Sequence, residues 1–412
     1  MEWKAFTAAM ALIGLWVADD AFVNREPGTS AADHLVSGLV PLALLAASAA
    51  VHPRLRPGWR AALALAWAPC AIAAGVADGV RHVAIDGFSG DDGTAILAGL
   101  AGVALLVLGV GTLWRHRRRD ERPLRRWLRR AGVTAAAAFV AVFVVMPVCF
   151  AIVTTHPARS PVSPADLERP YEEVALTTSD GLELDGWYVP SRNRAAVIVF
   201  PGRRGTVGHA RLLARHGYGV LLLDRRGEGT SEGDGNARGW SGEPDLVAAL
   251  DHLAARDDVD PERIGGLGLS VGGELLLQTA AHDRRLAAVV SEGAGIRSLA
   301  EQMENPDAPA ALRWLSPTTV ETAATAVLAN APPPPSLADL VGRIAPRAVL
   351  LIRAEDGNVD EGLNEVYFDR AGEPKALWTL PSGGHTGALR ADPDGYERRV
   401  VGFLDTWLLG DR

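Results

Sequence analysis

A serine flanked by glycines is the residue pattern in this chain that most clearly suggests chemistry. Ser270 lies at the centre of Gly268-Leu269-Ser270-Val271-Gly272, after a predicted strand over Arg263–Leu269 and before a predicted helix. A nucleophile elbow requires this strand–turn–helix context, and side chains at the two outer positions would collide with the strand and the helix. The pattern predicts a hydroxyl held clear of a sheet, with the Val271 N–H and the helix N-terminus facing developing negative charge. Because glycine supplies 44 of 412 residues, the pentapeptide alone is equally compatible with a glycine-rich turn around a buried serine.

A serine hydroxyl is a weak nucleophile and needs an adjacent base. His385 is the best candidate, because it lies in the loop Gly383-Gly384-His385-Thr386, after a predicted strand, where it could reach the elbow. A histidine at the end of the chain also fits the order serine, acid, histidine. The other histidines of this half fall in predicted helices or at their ends and are expected at the surface: His209, His216, His252 and His282.

The elements that must position these residues alternate in type from residue 171 onward. Between the strands lie helical patterns over 208–216, 243–255 and 273–281, and a terminal helix covers about 393–409. This alternation predicts an α/β fold, with a mostly parallel sheet and helices on both faces. The expected strands are 171–178, 182–189, 195–200, 219–224, 263–269, 287–291, 348–353 and 376–380.

Residues 1–155 follow a different pattern, with five apolar runs that are each near the length needed to cross a bilayer. The alternative, buried helices of a soluble protein, fits less well because five such runs follow one another with only short polar gaps. Residues 156–170 contain four prolines and are expected to form an extended linker to a second domain, 171–412. The five predicted spans are approximately Ala5–Val23, Leu35–Val51, Ala61–Val80, Thr94–Trp114 and Ala131–Thr155.

Arginine placement predicts the orientation of these spans. The gaps 51–60 and 115–130 hold twelve arginines, whereas the gaps 24–34 and 81–93 hold two. The positive-inside rule then places the N-terminus in the cytoplasm and residues after 155 outside it, in a multi-pass protein of the cell membrane.

Charge and cysteine content limit the other function classes. A net charge of −8 argues against a nucleic-acid partner. Both cysteines, Cys70 and Cys149, lie inside apolar runs, so the sequence predicts neither a disulfide framework nor a metal site, and no motif calls for a cofactor. The oligomeric state is left open by the sequence.

Four further blocks give residues 171–412 a specific resemblance. This part of the chain resembles the α/β-hydrolase superfamily, and is most similar to the branch of serine esterases, dienelactone-hydrolase-like enzymes and acyl-peptide peptidases. The membrane part lies outside the resemblance. The blocks, in family order, are Phe200-Pro201-Gly202-Arg203-Arg204-Gly205, Asp224-Arg225-Arg226-Gly227-Glu228-Gly229-Thr230-Ser231, Asp260-Pro261-Glu262-Arg263-Ile264 and Gly383-Gly384-His385-Thr386.

The resemblance implies a role for each site residue. Ser270 would be the nucleophile and His385 the general base, and the acid would follow the strand Ala348–Arg353. Asp356 is the first choice for the acid, although the family spacing is not kept. The alternatives are Asp360, Glu361 and, at the end of another strand, Glu292.

The oxyanion hole would use the backbone N–H of Val271 together with that of Arg203 or Arg204. Residues 296–345 are too long for a plain connection and are expected to form a small helical lid over the site, with a disordered insert as the alternative. The block around Asp224 and Arg226 is expected to brace its loop.

Three functions follow from this reading. The first is a membrane-anchored serine hydrolase that cleaves an ester, thioester or peptide bond of a small-molecule, lipid or peptide acyl substrate. The second is a catalytically silent binding or sensing module, and the third is a membrane acyltransferase that uses the same serine. Fold alone does not decide among them.

Overall fold

A computed structural model of the chain describes residues 2–80, 83–84, 92–116, 123–157, 159, 167–202, 206–309, 313, 317–358 and 360–410. These residues form two compact units. The helical unit comprises residues 1–159, 234–236 and 315–332, and the sheet unit comprises residues 160–233, 237–314 and 333–412.

Within its described residues, the helical unit contains five helices that are long and apolar enough to cross a membrane. Short π-helical turns extend three of the α-helical segments at Asp19–Val23, Gly75–Val80 and Ala141–Val145. The α-helical segments are Glu2–Ala18, Leu35–Val51, Pro57–Ala74, Asp92–Arg115, Pro123–Val140 and Met146–Thr155, the last two belonging to one candidate span.

Polar side chains cluster at both ends of this helical unit. At one end Thr94 donates to Asp19 (2.7 Å), and His156 lies 3.6 Å from Asp20. At the other end Arg115 donates to Glu2 through Nε (3.1 Å). The start of the first helix therefore lies beside the end of the fourth, as expected for spans that alternate in direction.

The sheet unit is built on eight strands in the order β1-β2-β4-β3-β5-β6-β7-β8. The first two strands form an antiparallel hairpin and β2 pairs antiparallel with β4, whereas every pair from β4 to β8 is parallel. The predicted α/β architecture is confirmed. The strands are β1 Glu172–Thr177, β2 Glu183–Val189, β3 Ala196–Phe200, β4 Gly219–Leu223, β5 Ile264–Leu269, β6 Leu286–Glu292, β7 Ala348–Ala354 and β8 Lys375–Leu380.

Two apolar cores cover the two faces of this sheet. In β3, Ile198 and Phe200 enter one core, whereas Val197 and Val199 enter the other, which is the alternation that a strand buried on both faces requires. Helices pack on both faces. They are Val207–Arg215, Glu243–Ala254, Val271–His282, Leu299–Glu304, Leu337–Leu340, Leu363–Arg370, Ala388–Ala391 and Pro393–Tyr396, the last continued as helical turns to Leu409.

The connection between β6 and β7 is the segment in which a helical lid was expected. It contains the helices Leu299–Glu304, Pro317–Leu328 and Leu337–Leu340, so the described part is ordered as helix. Residues 315–332 form part of the helical unit, whereas the residues on either side of them form part of the sheet unit. The small helical lid over the site stays a prediction.

Candidate active site

Ser270 occupies a strained turn between β5 and the helix Val271–His282. Its backbone angles are φ 52° and ψ −124°, which a residue with a side chain rarely adopts. The Ser270 N–H donates to the Glu292 carbonyl at the end of β6 (2.7 Å), and the Ser270 carbonyl accepts from the Glu274 N–H (3.1 Å). The strain is therefore held by bonds on both sides of the turn, as expected for an elbow.

The two outer glycines are required by close packing. A Cβ on Gly268 would lie 2.4 Å from the Gly272 carbonyl carbon, and a Cβ on Gly272 would lie 2.4 Å from the Phe200 carbonyl oxygen. Real Cβ atoms do not approach backbone this closely, so only glycine fits either position without a backbone shift. The structure thus gives the predicted steric reason for this spacing.

The backbone donors expected near the serine are partly described. Val271 is the first residue of its helix, so its N–H has no acceptor inside that helix and points out of the N-terminus. The loop after β3 reaches the serine, since a Cβ on Gly202 would lie 3.1 Å from the Ser270 Cβ. Arg203 and Arg204, the other predicted donors, lie outside the described residues.

His385 is paired with Glu361. Its Nδ1 lies 2.7 Å from Glu361 Oε1, and the Glu361 side chain is 2% exposed. Glu361 also accepts from the Ala354 N–H (3.0 Å) and the Asn358 N–H (3.2 Å), so its carboxylate is fixed by three donors. A carboxylate held in this way fixes the imidazole tautomer, with the proton on Nδ1 and Nε2 left to accept.

The same loop ties the histidine to the elbow. A Cβ on Gly293 would lie 3.1 Å from both Cε1 and Nδ1 of His385, so the imidazole lies against this glycine. The preceding residue, Glu292, accepts the Ser270 N–H through its carbonyl. Residues at the end of β6 and just after it therefore contact both Ser270 and His385.

Asp356, the first choice for the acid, contacts the histidine loop rather than the imidazole. Its Oδ1 accepts from the Gly383 N–H (2.9 Å) and the Gly384 N–H (2.8 Å). The carboxylate that contacts the imidazole in this structure is Glu361, one of the alternatives. The physical reason is that the turn after β7 directs Asp356 toward backbone and brings Glu361, five residues later, to the imidazole.

The remaining two candidate acids also have other partners. Asp360 accepts from the Ile296 N–H (3.0 Å) at the start of the β6–β7 connection. Glu292 accepts from the Ala388 N–H (2.9 Å), which follows His385 by three residues. Burial raises the pKa of Glu292 to about 7. Glu292 thus links the elbow backbone to the histidine loop and does not contact the imidazole as an acid would.

His209 was expected at the surface, and the structure shows that this is wrong. Its side chain is buried, its ring packs edge-on against Tyr396, and its Nε2 lies 4.0 Å from Glu292 Oε2. Burial lowers the pKa of His209 to about 4. The pattern of the helix Val207–Arg215 gave the signal that was missed, because position 209 lies on the same buried side as Leu212 and Leu213.

The block after β4 braces its own loop, as the sequence suggests. Arg226 donates through Nε to Asp245 (2.7 Å) and through Nη1 to Asp180 (2.8 Å). Ser231 donates to the Asp224 carbonyl (2.8 Å) and accepts from the Asp185 N–H. These contacts are structural and leave Ser270, His385 and Glu361 as the group suited to chemistry.

The chain is similar to a known peptidase family and to a bacterial protein. The family described as X-Pro dipeptidyl-peptidase (S15 family) matches residues 147–345. An uncharacterized protein of Mycobacterium tuberculosis is 31% identical over 254 residues, which cover 60% of this chain and 79% of that protein.

Two further proteins extend this likeness. The α/β-hydrolase domain-containing protein WAV2 of Arabidopsis thaliana is 32% identical over 151 residues, and the match spans 35% of this chain and just under half, 47%, of that protein. A solved structure of the Pyrococcus furiosus esterase Pf2001 superimposes with a TM-score of 0.50 at 22% identity, covering 61% of this chain and 97% of the esterase chain. This last likeness concerns the fold alone.

Proposed function

We propose, from the premise that this chain belongs to the α/β-hydrolase superfamily, that it is a membrane-anchored serine hydrolase that cleaves an acyl ester, thioester or amide. The observation that carries the proposal is the pairing of His385 with the buried carboxylate of Glu361. The imidazole lies against Gly293, the residue after the Glu292 carbonyl that accepts the Ser270 N–H. A silent module would have no need for an imidazole oriented in this way.

The reaction follows from this arrangement. Nε2 of His385 takes the proton of Ser270 as Oγ bonds to the acyl carbon, and Glu361 stabilises the imidazolium. The Val271 N–H faces the oxyanion. The imidazolium then protonates the leaving group as its bond to the acyl carbon breaks. Water, deprotonated by the same imidazole, next bonds to the acyl carbon. The bond from the acyl carbon to Ser270 Oγ then breaks, and the imidazolium returns its proton to Oγ as the acid leaves.

Membrane anchoring is supported by the five long apolar helices and by the opposed polar clusters at their ends. The arginine asymmetry supports an orientation in which the sheet unit lies outside the cytoplasm. Alkaline phosphatase fused after Arg412 is expected to be active and a fluorophore that matures only in the cytoplasm to be dark. The opposite pattern would place the site inside the cell.

The experiment for the activity is labelling of the full chain, in detergent, with a fluorophosphonate. We expect labelling of the parent protein and of Ser241→Ala, which removes an exposed serine elsewhere in the sheet unit, and none of Ser270→Ala. An unlabelled parent protein would favour the silent module. Adding an acceptor alcohol to the hydrolysis assay separates hydrolysis from acyl transfer, because a transferase would form mainly the new ester.

A further inference from the structure

The last candidate span begins with an arginine-rich segment, Leu124-Arg125-Arg126-Trp127-Leu128-Arg129-Arg130. This segment forms the first turns of the helix Pro123–Val140. Its four arginines lie on one face of the helix, because residues three or four apart are neighbours on a helical surface. Its two leucines and its tryptophan lie on the opposite face and are exposed. We call residues 124–130 the basic segment.

The helix that contains the basic segment is longer than a bilayer core. The candidate span Leu124–Thr155 has 32 residues. Residues 131–155 carry no charged side chain and are about 37 Å long, enough to cross a core of about 30 Å with some tilt. The basic segment adds about 10 Å, which is enough to pass through a headgroup region of about 5–8 Å. Its arginines are therefore at the depth of lipid phosphates.

Exposed tryptophans mark the ends of three other spans. Trp3 lies at the start of the first helix, Trp59 at the start of the third and Trp114 at the end of the fourth. Tryptophan is enriched where a span meets the boundary between hydrocarbon and water. The start of the first helix adjoins the end of the fourth, because Arg115 donates to Glu2 through Nε (3.1 Å).

The basic segment lies at the same side of the helical unit as these tryptophans. The start of the third helix adjoins the end of the fourth, since a Cβ on Gly109 would lie 3.2 Å from the Ala61 carbonyl oxygen. The last span ends beside the end of the first, where His156 lies 3.6 Å from Asp20. The last span therefore starts on the side where the first one starts, and Trp127 joins the level that the other tryptophans define.

The arginines of the basic segment occupy the end of a helix that favours anions. The N-terminus of a helix carries partial positive charge and backbone N–H groups without helical acceptors, so cations there are unfavourable. The first turn of this helix has no acidic residue, and residues 123–155 contain none. Arg115, in contrast, lies at a helix C-terminus and pairs with Glu2. An anion beside the basic segment would compensate both the arginine charges and the helix dipole.

We infer that the basic segment binds the phosphate groups of anionic phospholipids in the leaflet where the last span begins. This inference rests on the membrane anchoring in the proposed function and adds a lipid ligand. Guanidinium groups bind phosphate oxygens through paired N–H donors, and the apolar face of the segment fits against acyl chains. A nucleic acid also supplies phosphates but offers nothing to that apolar face. The expected orientation makes this the cytoplasmic leaflet, where anionic lipids attract basic segments.

The test uses the full chain in detergent, titrated with dioleoylphosphatidylglycerol or dioleoylphosphatidylcholine, with bound lipid counted by native mass spectrometry. The parent protein is expected to bind phosphatidylglycerol at least tenfold more tightly than phosphatidylcholine. Arg125→Gln combined with Arg129→Gln should weaken phosphatidylglycerol binding about 25-fold, at about fivefold per arginine, and leave phosphatidylcholine binding unchanged. Arg192→Gln combined with Arg215→Gln removes the same charge from exposed positions of the sheet unit and should change neither affinity.

Further measurements keep the outcomes distinct. Arg129→Gln alone leaves three arginines to orient the span and should weaken phosphatidylglycerol binding about fivefold, even if the double variant does not insert. Equal affinity for the two lipids, equal losses in the two double variants, or tighter binding of a short RNA than of phosphatidylglycerol would each overturn the inference. A parent chain that alkaline carbonate extracts from membranes would instead overturn the anchoring in the proposed function.

Discussion

The elbow around Ser270 and the acid loop from Ala354 to Glu361 contribute to the same candidate site, but their geometry is determined in different ways. The elbow is fixed within five residues, because two glycines alone allow β3 and the following helix to approach. The acid loop holds four carboxylates in its eight residues, Glu355, Asp356, Asp360 and Glu361. Three of them have different partners, and the geometry of the loop depends on a distant histidine loop. Local steric crowding determines the geometry of the elbow, whereas contacts with distant residues determine the geometry of the acid loop.

The largest expected effect comes from removing the nucleophile. Ser270→Ala should reduce turnover of a chromogenic acyl ester by about four to six orders of magnitude. The smaller side chain keeps the same backbone turn, so circular dichroism should be unchanged. A variant that turns over at the parent rate would show that the elbow is only a turn.

The acid loop is tested by two matched amide substitutions. Glu361→Gln should reduce turnover by about four orders of magnitude, because an amide in place of the carboxylate leaves the imidazole in the wrong tautomer. Asp356→Asn should cost less than about tenfold, because an amide oxygen can still accept from the Gly383 and Gly384 N–H groups. Steady-state rates of both variants decide the assignment, and the reverse order would restore Asp356 as the acid.

The steric basis of the elbow is tested by Gly272→Ala. Its Cβ would lie 2.4 Å from the Phe200 carbonyl oxygen, so we expect a loss of stability of about 1–3 kcal/mol and a fall in turnover. Gly402→Ala is the control, since a Cβ there meets nothing within 4 Å and a helical alanine is favourable. Thermal melting of both variants should separate them. Equal melting temperatures would mean that the elbow has room for a side chain.

The smallest effect concerns Glu292, which joins the elbow to the histidine loop. Its pKa is raised from 4.5 to about 7, so the folded protein holds a proton that the unfolded chain releases, and stability from Glu292 falls as pH rises between these values. The pKa of His209 is lowered from 6.5 to about 4, so its contribution rises with pH in that window. The two contributions oppose each other between about pH 4.5 and 6.5.

Replacing either residue should reveal the pH dependence of stability that the other residue contributes. In Glu292→Gln, the melting temperature of the detergent-solubilised chain should rise with pH across this window. In His209→Gln, it should fall. If both variants follow the pH curve of the parent protein, burial does not perturb this pair, and Glu292 is not a titrating link between the two parts of the site.

The sequence predicts the elbow, the histidine and the sheet because each depends on local pattern. Glycine spacing, strand periodicity and helix alternation lie within short windows, and the strand bounds agree with expectation to within a few residues. The identity of the acid does not depend on such a pattern, since which carboxylate faces His385 is decided by how two loops meet after folding. The burial of His209 could have been anticipated from the helix face that it shares with Leu212 and Leu213.

The helix Pro317–Leu328, which we call the insert helix, also has a consequence for the order in which the chain is made. Helices that end at Thr155 leave the ribosome first, and the insert helix follows only after most of the parallel sheet has been synthesised. At 5–20 residues per second, residues 156–316 take on the order of ten seconds or more to emerge. During this interval the surface of Met146–Thr155 that the insert helix covers lacks this partner, so assembly of the helical unit is complete only late in translation.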